Sequence, residues 1–227
     1  MASRKEHAEV ITLYHCSFAR SFRPLWTLEE LGLGYELKML PFPPRVLAPD
    51  YLQINPLGTI PLLLDGETRM TESAGICQYL VTHYGPSQLA VAPQEPAYGA
   101  YLNWLHFGEA TLTFPQTIVL RYSRLEPEER RNPQVVEDYT RWFFARLRAI
   151  DAALLGQPYV CSGRFTAADI SVGFALILAD QLDLSARFSP RIADYWQRLT
   201  AREGFQRAVA AQERAGVEQR VPPPVLR

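Results

Sequence analysis

Three short stretches carry residue types that chemistry can use. "YHCSFARSFR" (Tyr14 to Arg23) places a phenol, a thiol and two hydroxyls, Tyr14, Cys16, Ser17 and Ser21, at the start of an apolar helical pattern. "NPLGTIP" (Asn55 to Pro61) sets a proline at the mouth of an apolar run, and Glu72-Ser73 opens the next helical pattern. A strand-edge proline and a helix N-terminus both leave backbone groups without partners. Facing one cavity, they would hold a small peptide-like anion. Ser73 suits an N-cap, and the terminus it caps also attracts carboxylates.

The elements that must position these residues follow from periodicity. "VITLYH" is a short β-branched and aromatic run, and "SFRPLWTLEELGLG" has Phe22, Leu25, Leu28 and Leu31 at helical spacing before Gly32. "YELKML" alternates, "VLAPDYLQIN" is a short irregular helix, "IPLLLD" and "ETRMT" flank Gly66 as a hairpin, and "SAGICQYLVTHYG" is a helix. The order β-α-β-α-β-β-α over residues 10–84 predicts a thin mixed sheet with helices packed on it. The proline-rich "GPSQLAVAPQEP" reads as a linker over 85–96. Residues 97–215 are helical in period, with Tyr101, Trp104, Leu105, Gly108 and Leu112 on one face, and 216–227 are expected to be a loose tail. The fold class is an α/β N-terminal domain followed by an all-α C-terminal domain.

The totals exclude several functions. A net charge of −1 over 227 residues gives no electrostatic footprint for nucleic acid or an anionic membrane. Cys16, Cys77 and Cys161, without CxxC spacing, argue against a disulfide scaffold, a zinc site or a dithiol motif, so no metal is expected. "MASRKEHAEV" lacks the apolar core of a secretory signal, and "ISVGFALILA" is too short to span a bilayer. The expected compartment is the cytoplasm.

"NPLGTIP", "ESAGI" (Glu72 to Ile76) and "GRFTAADI" (Gly163 to Ile170) together make the chain resemble the cytosolic glutathione transferases over about residues 10–210. The text of the first helix is similar to a bacterial and fungal branch whose loop reads Ser-Arg-Ser; Ala19 stands in place of the first serine. The resemblance implies a thioredoxin-like N-terminal domain that binds glutathione as co-substrate and a helical domain that binds an electrophile. It also implies a homodimer. By the same resemblance the Ile60–Pro61 bond is cis and presents the Ile60 N–H and C=O to the cysteinyl backbone of glutathione. Ser73 holds the γ-glutamyl carboxylate, Glu72 the α-ammonium, and Gln53 is a further polar contact.

Glutathione must react as its thiolate. Lowering a thiol pKa from about 8.5 by two units takes about 2.7 kcal/mol. A helix dipole supplies about 0.3–1 kcal/mol, and one hydrogen bond to a charged group about 1.5–3 kcal/mol. A donor in the loop is therefore required, and the candidates are Ser17, Ser21, Tyr14 and Cys16. Ser17 has no evident capping task; Ser21 also fits an N-cap. Cys16 opens an alternative, a glutathione-dependent thiol/disulfide reductase, and a non-catalytic glutathione-fold binding protein is another. Arg20 and Arg23 read as solvated or paired surface charges. The electrophile pocket is expected around Tyr101, Trp104, Phe107, Thr111 and Phe114, opened by a kink at Pro115. In "FTAADI", Thr166 and Asp169 read as a reciprocal helix cap, a folding element.

Overall fold

The computed structural model describes residues 10–222. Its sheet has the order β2-β1-β3-β4, built from β1 (Ile11–His15), β2 (Tyr35–Met39), β3 (Leu62–Asp65) and β4 (Thr68–Met70). β1 and β2 are parallel, Leu13 opposite Leu37, and are joined by helix α1 (Phe22–Leu31). β3 runs antiparallel to both β1 and β4, with Leu63 opposite Leu13 and Met70. The mixed sheet and its helices are thioredoxin-like, and a helical region follows, as the fold class anticipated.

Local chemistry explains these elements. α1 is buried on every side from Phe22 to Leu28, Phe22, Leu25, Trp26 and Leu28 among them, and stops at Gly32, whose φ of 65° a side chain would resist. Gly66, at φ 55°, turns β3 into β4. α2 (Pro44–Leu47) and α3 (Tyr51–Ile54) are single turns, and α4 (Ser73–His83) buries Ile76, Cys77, Leu80 and Val81 at helical spacing.

The helical region holds α5 (Tyr98–His106), a π-helical segment (Phe107–Thr113), α6 (Phe114–Leu120), α7 (Pro133–Ala153), α8 (Ala167–Gln181), α9 (Pro190–Thr200) and α10 (Glu203–Glu218). Every residue of α8 from Ala167 to Ala179 is buried, so this helix forms the spine of the core. The Thr166 N–H donates to Asp169 at 2.9 Å in the expected reciprocal cap. Asp169 also accepts from the Val160 N–H and the Tyr195 hydroxyl, which makes it a folding element.

One expectation changes, and one is refined. Pro115 lies inside a helical run that continues unbroken from Tyr98 to Leu125, and the π-helical segment Phe107–Thr113 immediately before it is where the ladder widens around the missing N–H. The expected loose tail begins too early, because α10 remains helical to Glu218; residues 223–227 lie outside the described residues. No helix among the described residues is long and apolar enough to cross a membrane.

Candidate functional site

Topology gathers the chemistry at one end of the sheet. β1 ends at His15, antiparallel β3 begins at Leu62, and β4 ends at Met70, so three chain connections meet on the same edge. These are the loop 16–21, the Ile60–Pro61 step, and the approach to α4.

The Ile60–Pro61 bond is cis. Neither the Ile60 N–H nor its C=O has a hydrogen-bond partner among the described residues. Asn55 shapes the turn before it: its Nδ2 donates to the Thr59 C=O at 2.8 Å and its Oδ1 accepts from the Leu57 N–H at 3.2 Å. Gln53 is exposed on α3, at the entry to this turn. At α4, the first helical bond runs from the Ile76 N–H to the Glu72 C=O, 2.8 Å. The N–H groups of Ser73, Ala74 and Gly75 therefore have no intrahelical acceptor. Glu72 is exposed beside them and Ser73 is buried.

A buried arginine supports that helix start. Arg23 is fully buried and spends all five N–H donors. Nε donates to the Ser171 C=O at 3.1 Å, and Nη1 donates to the Ser73 hydroxyl at 3.2 Å and to Glu109. Nη2 donates to the Gly108 C=O at 3.1 Å and the Thr113 hydroxyl at 2.7 Å. The Phe174 ring lies 4.3 Å under the guanidinium. This corrects the expectation of a surface charge. Because Arg23 occupies a lone pair of the Ser73 oxygen, the hydroxyl proton stays uncommitted and can be donated to an anion. Arg20 pairs with Glu109 and donates to the Thr117 hydroxyl at 3.0 Å. Burial would raise the Glu109 pKa, but Arg23 and Arg20 outweigh it and hold the carboxyl below the usual range. Gly108 makes the close approach possible, since a Cβ there would lie 2.4 Å from the Ser171 hydroxyl.

The four loop candidates separate. Ser21 is fully buried, and its hydroxyl accepts from the Cys16 N–H at 3.2 Å and donates to the Cys16 C=O at 3.3 Å. It caps no helix; it staples the loop. Cys16 is buried against Tyr51, Ile60 and Leu62, and burial pushes its thiol up to about 12. It is a protonated packing residue. Tyr14 is half-buried with its ring on Tyr51, centroids 5.4 Å apart. Ser17 is half-buried, and its hydroxyl has no hydrogen bond among the described residues. Phe18 follows at φ 51°, a left-handed conformation costing a non-glycine residue about 1–2 kcal/mol.

Phe18 also lines a cavity of about 790 Å³ with Ile177 of α8, Trp196 of α9, and Phe205 and Val209 of α10. Arg124 and Asp183, hydrogen-bonded at 2.8 Å, supply part of its polar lining. No residue of the expected pocket lines it. Tyr101 is in the core, Phe114 is 48% exposed, Trp104 stacks edge-on against Phe107, and Thr111 lies on the π-helical segment. Among the described residues no cluster of His, Cys, Asp and Glu is placed to hold a metal ion.

The family description "Glutathione S-transferase, N-terminal domain" matches residues 15–83, the loop, sheet and α4 just described. Glutathione S-transferase 3 of Schizosaccharomyces pombe is 30% identical over 191 residues, covering 78% of this chain and 78% of its own length. The chain belongs to the glutathione S-transferase family. Glutathione S-transferase GstA of Escherichia coli O157:H7 is 29% identical, covering 82% of this chain and 90% of its own. A glutathione transferase of Phanerochaete chrysosporium, solved with oxidized glutathione, superposes with a TM-score of 0.79 at 27% identity, covering 92% of this chain and 99% of that one.

Within this family member, the amino-acid sequence did not disclose the burial of Arg23, the left-handed Phe18 or the cavity wall from α8 to α10. The apolar spacing Phe22, Leu25, Leu28 and Leu31 leaves Arg23 off its stripe, and its burial follows only because the fold covers α1 on every side from Phe22 to Leu28.

Proposed function

We propose that this chain conjugates the thiolate of glutathione to a small hydrophobic electrophile. One observation carries the reading: the open Ile60 backbone pair, the Ser73 helix start and the half-buried Ser17 share one end of the sheet, and the cavity begins at Phe18 next to Ser17. Glutathione is the co-substrate. Its cysteinyl backbone pairs with the Ile60 N–H and C=O like one rung of a β ladder, leading with Pro61 into β3. Its γ-glutamyl carboxylate takes the Ser73 hydroxyl and the free N–H groups of α4, where the helix dipole favours an anion. Glu72 takes the α-ammonium and Gln53 adds a polar contact.

The Ser17 hydroxyl donates to the sulfur and favours the thiolate. Ser21 fixes the loop that presents Ser17, and Tyr14 is the second donor of this reading. The cavity volume is within the range of about 300–1,000 Å³ usual for small-molecule sites, and its aromatic walls suit an apolar electrophile. The thiolate attacks the electrophilic carbon, the carbon–sulfur bond forms, and the leaving group departs with the bonding pair; proximity supplies much of the rate. Assembly as a homodimer in the cytoplasm belongs to the same reading.

The reductase alternative asks Cys16 to be a nucleophile, and a buried thiol held protonated does not favour it. The test is conjugation of a chlorinated nitrobenzene and reduction of a mixed disulfide by wild type, Ser17→Ala and Cys16→Ser. Conjugation that falls about ten- to hundredfold in Ser17→Ala, the worth of one charge-assisted hydrogen bond, and survives in Cys16→Ser supports the proposal. Disulfide reduction lost in Cys16→Ser would favour the reductase, and glutathione binding with neither activity a binding protein.

A further inference from the structure

The backbone at Phe18 is not explained by the loop alone. Phe18 is the third residue of the turn Cys16 to Ala19, closed by the Ala19 N–H on the Cys16 C=O at 3.1 Å. Its φ of 51° suits glycine or asparagine at that position, because a Cβ crowds the following carbonyl. A bulky aromatic persists there only where its surroundings over-determine it. Its ring stacks on Phe22 with centroids 5.7 Å apart, and its N–H donates to the Gln212 Oε1 at 3.1 Å.

Gln212 comes from α10, 194 residues further along the chain, and is 1% exposed. The same oxygen is 3.0 Å from the His15 Nε2. Because that oxygen faces the Phe18 N–H, the Nε2 must carry the His15 proton, and one carbonyl ties the last residue of β1 to the apex of the turn. α10 also brings Phe205 and Val209 to the cavity that Phe18 lines. One helix thus bounds the cavity and holds the loop beside it.

We infer that Gln212 is a positioning residue for the glutathione thiol: by holding Phe18 left-handed, it sets the direction in which the neighbouring Ser17 presents its hydroxyl to the sulfur. The inference rests on the conjugation reading above. It reaches the chemistry through the loop alone, since among the described residues Gln212 hydrogen-bonds to His15 and Phe18 and to none of Ile60, Glu72 and Ser73, the groups assigned to the rest of glutathione.

The experiment compares wild type with Gln212→Met, which keeps the length and loses the acceptor, and with Gln212→Asn, one methylene shorter. The bound-thiol pKa is read from the ultraviolet absorbance of the thiolate across pH, and glutathione affinity from calorimetry. The bound-thiol pKa is expected to rise by about half a unit to one unit, the size of one net hydrogen bond, with kcat falling about three- to tenfold at neutral pH. Kd for glutathione measured well below the bound-thiol pKa, where only the thiol form binds, is expected to stay at its wild-type value.

A variant whose bound-thiol pKa stays at the wild-type value overturns the inference, as does one in which Kd also weakens well below the bound-thiol pKa, where the thiolate plays no part. Should Gln212→Met fail to fold, Gln212→Asn decides by the same readings. Wild-type protein that binds glutathione without lowering its thiol pKa overturns the conjugation reading and this inference with it. A lowered wild-type pKa that neither variant moves overturns this inference alone.

Discussion

The Arg23 guanidinium, with no exposed surface, donates to the Ser73 hydroxyl at 3.2 Å while its other donors reach Gly108, Glu109, Thr113 and Ser171. One side chain of α1 therefore joins the start of α4 to the π-helical segment and to α8. The proposed carboxylate site is braced by the helical region, although every group assigned to it lies in the sheet region.

Arg23→Met tests this brace. The substitution leaves Glu109 with Arg20 alone and takes one donor from the Ser73 and Thr113 hydroxyls and from the Ser171 and Gly108 carbonyls inside the core. Breaking a buried pair from one side costs about 3–5 kcal/mol. Denaturant unfolding should show a loss of that size, and calorimetry a weaker glutathione affinity. Stability within about 1 kcal/mol of wild type, the scale of an exposed pair, would mean that the network does not carry the junction.

His15 makes stability depend on pH in a direction that can be worked out. Burial pulls its pKa from 6.5 to about 4, against the Gln212 contact, which raises it. Between those values the unfolded chain binds more protons than the native one, so stability rises with pH there. The contribution is complete above pH 6.5 and is lost as pH falls toward 4, by about 3 kcal/mol in all. Asp169 opposes it: burial raises its carboxyl to about 6, against the hydrogen bonds from Val160, Thr166 and Tyr195, which lower it, so the native state gains protons first on the way down. The wild-type profile should therefore be shallow. His15→Gln should gain stability relative to wild type as the pH is lowered through this window, measured by unfolding at neutral pH and near pH 4. A stability difference that does not vary with pH contradicts the assignment.

Thiol accessibility gives a third check. Cys16, Cys77 and Cys161 are all buried, and burial raises the thiols of Cys16 to about 12 and Cys77 to about 11. Native protein should resist alkylation, while denatured protein should react at all three cysteines. Fast labelling of Cys16 in folded protein would revive the reductase reading.

Local pattern made much of this legible. A β-branched and aromatic run marked β1, alternation marked β2, Gly66 marked the β3–β4 turn, and Thr166 with Asp169 marked the start of α8, because each depends on neighbours within a few residues. Resemblance carried Ile60, Pro61 and Ser73. What stayed hidden depends on distant partners. Arg23 finds acceptors on three separate elements, and Gln212 meets Phe18 only after the whole helical region has folded back. The aromatic spacing from Tyr101 to Phe114 described a helix face, and the cavity beside Phe18, bounded by residues of α8 to α10, had no local signal because its walls come from distant parts of the chain.

Titration of reduced glutathione into wild type and Ser73→Ala in a calorimeter tests the central claim most directly. Wild type should release binding heat, and Ser73→Ala should bind at least about tenfold more weakly, since a hydrogen bond to a charged group is worth about 1.5–3 kcal/mol. An absence of heat from wild type, or equal affinity in the two proteins, would contradict the account.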